Sequence, residues 1–72
     1  MFGVKLTKKQ KGLVHLQKYS DEAAFYCEVD VDGSWVLSLD QILYAEKEEF
    51  AWLRGLPIVP LEVVKEDPLN LY

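Results

Sequence analysis

The sequence predicts a small single α+β domain: an antiparallel sheet with a central hairpin and one or two helices. Three observations lead there. Seventy-two residues suffice for one domain. Apolar side chains repeat with period two at 25–29 and again at 35–39, on either side of an Asp32-Gly33 turn signal. A 3.6-residue pattern runs from 40 to 54 and meets Gly55 and Pro57, which stop helices.

Taken in order, Phe2, Val4 and Leu6 alternate with Gly3 and Lys5, the mark of a short half-buried strand. Thr7 and Gln10 have the spacing of a capping box, so a helix is expected over 8–19. On its wheel Leu13, Leu16 and Tyr19 form the apolar arc, and Lys8, Lys11, His15 and Lys18 form another. Gly12 costs about 1 kcal/mol relative to Ala in a helix, which keeps a strand over 12–19 as the competing assignment.

The hairpin (about 24–39) can be registered by parity. A two-residue loop would pair Asp30 with Trp35 and Glu28 with Leu37, mixing acids with the large apolar side chains. A three-residue loop, Val31-Asp32-Gly33, pairs Val29 with Trp35, Cys27 with Leu37 and Phe25 with Leu39, so the apolar set shares one face. It also gives Gly33 the left-handed position of a G1 bulge.

A second helix is expected over 40–54, burying Ile42, Leu43, Phe50 and Leu53 with Ala45 and Trp52 at the margin. Glu46 falls inside that arc, the one place where the pattern fails. A last strand over 61–65 is confined to an edge by Pro57 and Pro60. The domain is read as 1–66, with 67–72 a short tail. The order β-α-β-β-α-β is compatible with a split-βαβ arrangement; the alternative is a small β-rich sheet or barrel with the second helix alone.

Composition narrows the function. Cys27 and His15 are the only residues of their types, so neither an internal disulfide nor a Cys/His zinc cage can form. A lone thiol suits a reducing compartment, the leading lysines do not suit a signal peptide, and no apolar run approaches the ~20 residues that span a bilayer. A cytoplasmic protein with no membrane partner is expected.

Catalysis is not expected. Cys27 falls on the apolar face of a strand, His15 stands among lysines, and the four glycines are too scattered to cradle phosphate. The run from Glu28 to Gly33 imitates a calcium loop, but its twelfth position is Leu39 and its ninth Val36, so an EF-hand is rejected. No cofactor or metal is expected.

Binding is therefore the expected activity, and charge indicates where. Residues 1–19 hold five lysines and no acid; residues 20–72 hold all twelve acids against three bases, a balance of −9. Such asymmetry marks an interaction surface, unless the two halves pack together and neutralise each other.

The leading expectation is a small accessory or inhibitory protein, of the kind phage and mobile-element genes encode. It would dock on a larger host enzyme such as a polymerase or nuclease. The candidate residues are Glu28, Asp30 and Asp32 at the hairpin tip; Tyr44, Glu46, Glu48, Glu49 and Trp52 on the second helix; and Leu69, Leu71 and Tyr72 in the tail. The alternative is a nucleic-acid binder using Lys5, Lys8, Lys9, Lys11, His15 and Lys18. A third possibility is a homodimer formed through the edge of the last strand.

Overall fold

Two antiparallel strands form the centre of the sheet. The computed structural model describes residues 1–67. In it β1 (Phe2–Leu6) and β3 (Trp35–Ser38) set Val4 opposite Leu37, and β2 (Glu28–Asp30) joins the far side of β3 with Val29 opposite Trp35. That is the register the apolar parity required. The Gly33 N–H donates to the Asp30 carbonyl at 2.9 Å, and Gly33 takes a φ of 87°, which closes the three-residue loop.

Two edge strands complete a five-stranded sheet in the order β4-β1-β3-β2-β5, where β4 is Val59–Pro60 and β5 is Val63–Glu66. All neighbours are antiparallel, so β1 and β2 run parallel with β3 inserted between them, as in a split βαβ unit. The edge strand expected over 61–65 is present as β5, starting two residues later, and β4 adds a further two-residue strand on the opposite edge. Pro60 pairs with Phe2 on an edge, where its missing N–H is harmless.

Only Leu61 and Glu62 separate these two edges. Four strand spacings of a flat sheet span about 19 Å, whereas three Cα–Cα steps reach about 11 Å. The sheet must therefore coil strongly, although it does not close into a barrel. The connection is held by Leu61 N–H to the Met1 carbonyl (2.8 Å), Glu62 N–H to Asp30 Oδ1 (2.5 Å) and Val31 N–H to the Glu62 carbonyl (2.9 Å). Val36, whose side chain points away from Leu37, is fully buried, so the second face of the sheet is covered as well.

The main core lies on the Leu37 face, where Val4, Phe25, Ile42 and Leu53 are almost completely buried. The Phe25 ring packs against Tyr19 at 5.1 Å and edge-on against Phe50 at 4.7 Å.

Both helices are shorter than the periodicity predicts. The Thr7–Gln10 capping box is present, but α1 (Lys8–Val14) ends where His15 turns extended and Leu16 takes a φ of 59°. The residues facing inward are Val14 and Lys11, while Leu13 and Leu16, expected in the apolar arc, are half exposed. Tyr19 reaches the core from a loop in which its N–H donates to the Ala23 carbonyl.

The helix expected over 40–54 divides into α2 (Leu39–Leu43) and a 3-10 helix (Glu48–Gly55). A continuous helix would place the Glu46 carboxylate inside the apolar arc. The break exposes it, keeps Ile42, Ala45, Phe50 and Leu53 buried, and leaves Leu43 in solvent. The interrupted backbone is re-paired from outside the helix: the Glu46 N–H donates to the Tyr19 carbonyl at 3.0 Å, and Arg54 Nη2 donates to the Ala45 carbonyl.

Gly3 is where β1 passes tightly against its neighbours. A Cβ there would collide with the Leu37 carbonyl oxygen and approach Leu61 Cδ1 within 2.7 Å. Gly3→Ala is therefore expected to lower the unfolding free energy by about 1–3 kcal/mol in urea titrations, as overpacking does. An unchanged midpoint would show that the crossing has slack.

Candidate protein-binding surface

The five leading lysines do not form one surface. Lys5 on β1 reaches across to the hairpin, with its ammonium 2.6 Å from Asp32 and 3.6 Å from Asp30. The contact raises the affinity of Lys5 for its proton and, with the Ser34 N–H, holds the Asp32 carboxyl well below the usual carboxylate range. Lys11 turns inward and pairs with Asp67 at 2.7 Å, the two residues being 6% and 4% exposed.

His15 Nδ1 lies 2.7 Å from the Lys11 ammonium. Lys8, Lys9 and Lys18 are left at the surface. The expected row Lys8, Lys11, His15, Lys18 is therefore not a continuous phosphate-binding stripe. Nor does the sheet offer an open face for stacking bases, since Val36 and Asp30 are buried.

The hairpin tip is also different from what the sequence suggested. Asp30 is a structural residue: it accepts the Glu62 N–H and faces Lys5. Asp32 is exposed but engaged with Lys5 and Ser34. Asp67, read from the sequence as the first residue of the tail, is buried.

Glu46, Glu48 and Glu49 are exposed, and Leu43 and Tyr44 stand beside them in sequence at 63% and 68% exposure. Trp52 is half buried against the core. The fold adds two acids that the sequence reading did not select. Asp21 and Glu22, from the loop after α1, line a shallow depression of about 250 Å³ with Ser20 and Glu46. The bond between the Glu46 N–H and the Tyr19 carbonyl brings the two segments together. Only the acid-rich turn Ser20-Asp21-Glu22 hinted at this. Leu69, Leu71 and Tyr72 lie outside the described residues.

Cys27 is fully buried, near enough to Lys11 and Asp67 for their charges to act on its thiol. Burial pushes its thiol up to about 11, with the Lys11 charge opposing and the Asp67 charge assisting. The folded state thus holds this proton more tightly than the unfolded chain, whose thiol titrates near 9.0. That contribution is intact below pH 9 and is lost as pH rises toward 11. The unfolding free energy is expected to fall by about 1–3 kcal/mol across that window. Urea midpoints measured at several pH values should show this slope in the wild type and a flatter one in Cys27→Val. Identical slopes would contradict the assignment.

No family model, no curated protein and no solved structure matches this chain, so the geometry of its own surface carries the functional reading.

Proposed function

We propose that this chain is a small non-catalytic module that docks on a larger protein as an accessory or inhibitory regulator. The observation that carries the reading is the exposure of Leu43 and Tyr44 immediately before Glu46, Glu48 and Glu49, with Asp21 and Glu22 brought alongside. Exposed aliphatic and aromatic side chains in a mainly acidic surround, with Lys47 between Glu46 and Glu48, have the composition of a binding hot spot with a steering rim. The surface is complementary to a basic patch with an apolar centre. Enzymes that handle nucleic acids carry such patches, and the carboxylates would then occupy positions that phosphates use.

The fold is consistent with this division of labour. The acids near the basic segment, Asp30, Asp32 and Asp67, are engaged internally, whereas those of the 3-10 helix project outward.

The test uses the tagged chain as bait in lysate of its native host, beside a Glu46→Lys/Glu48→Lys/Glu49→Lys variant and Tyr44→Ala. Retention of a specific protein by the wild type, with at least about a fivefold loss in both variants, is the expected result. Circular dichroism should show both variants folded. A specific protein captured equally by all three baits would contradict the placement of the surface.

A further inference from the structure

A cleft of about 220 Å³ lies beside α1, lined by Lys8, Lys11, Gly12, His15 and Trp35. Its exposed surface is almost wholly apolar, although Lys8, Lys11 and His15 are basic residues. Lys11 turns its ammonium to Asp67 and His15 Nδ1, which leaves its stem as lining. Gly12 adds room: no atom lies within 4 Å of the position a Cβ would take. Trp35 packs on the core yet stays partly exposed, so it supplies an aromatic wall. Small-molecule pockets run upward from about 300 Å³, so this cleft suits one inserted side chain.

The rim is positive. Lys8 and Lys9 are exposed, and among the described residues no carboxylate lies in ion-pair range of either. Leu13 and Leu16, 53% and 50% exposed, extend the apolar surface along α1 and its end. A protein with a basic patch, the chemistry that fits the acidic surface, would be repelled here. The cleft calls for an aromatic or aliphatic side chain carried among carboxylates. This chain displays that combination itself: Tyr44 and Leu43 are exposed next to Glu46, Glu48 and Glu49.

We propose that the chain associates with a second copy of itself, Tyr44 of one copy entering the α1 cleft of the other against Trp35. Glu46, Glu48 and Glu49 then face Lys8 and Lys9, and opposite charges across the contact fix its orientation. The tyrosine and indole rings can pack offset or edge-on. Each copy has one such tyrosine and one such cleft. Both flank the loop after α1, where the Glu46 N–H donates to the Tyr19 carbonyl. Two copies can therefore exchange the contact around a two-fold axis. The pairing covers the surface proposed for docking, so self-association and partner binding compete; this regulatory consequence rests on the docking reading.

Sedimentation equilibrium of the full chain tests the pairing from about 10 μM to about 1 mM. The apparent mass is expected to rise from one copy toward two. Tyr44→Ala, Lys8→Glu/Lys9→Glu and Glu46→Lys/Glu48→Lys/Glu49→Lys should each associate at least about tenfold more weakly. Acids in the first turn suit a helix N-terminus, so Lys8→Glu/Lys9→Glu is expected to fold, and Tyr44→Ala alters only an exposed side chain. An equimolar mixture of the two charge-reversed variants restores opposite charges at both contacts. It should associate within about threefold of the wild type.

A wild type that stays monomeric throughout would overturn the pairing, while leaving the docking reading, which the capture experiment tests, intact. Association unchanged in the three variants would overturn the cleft, as would a mixture that associates no more strongly than its components.

Discussion

A buried ion pair ties the two ends of this small domain together. Lys11, on α1, and Asp67, immediately after β5, meet at 2.7 Å with both side chains almost completely removed from water. Burying either charge without an opposite one would cost several kcal/mol, and the ion pair offsets that cost for both. The pair fixes how α1 lies and where the last strand ends, and Cys27 is buried beside it. A chain of this size has a thin core, and a mismatch at this point would open both the helix and the sheet edge.

The charge asymmetry of the sequence follows from the same constraint. Lys5 and Lys11 come from a segment with no acids, and their partners Asp30, Asp32 and Asp67 come from a body with an excess of them. The two halves neutralise each other where they touch. The remaining excess is negative and faces solvent around the 3-10 helix and the loop at Asp21 and Glu22. An acidic exterior around exposed Leu43 and Tyr44 is thus a consequence of how the basic segment is used in folding.

What could be read from the sequence was local. The hairpin register followed from parity because only one loop length puts Cys27, Val29, Trp35 and Leu37 on one face. The capping box at Thr7 was legible because both partners lie within four residues. The helices were overextended because a helical wheel assumes an unbroken helix and cannot see the Tyr19 carbonyl or the Arg54 guanidinium that compensate a break. Lys11 looked like a surface residue because its partner is far away in the chain. The coiling of the sheet was equally hidden, since it comes from joining opposite edges through Leu61 and Glu62. The exposed acids of the candidate surface were legible as charge; their grouping with Asp21 and Glu22 was a product of the fold.

The most direct test of this account is a double-mutant cycle on the buried pair, using Lys11→Met, Asp67→Leu and the two combined, read by urea denaturation. Each single substitution removes the opposite charge from a buried ion and should lower the unfolding free energy by about 3–5 kcal/mol, while the double should recover most of the loss. Singles within about 0.5 kcal/mol of the wild type, with the double additive, would show that the pair does not hold the fold together.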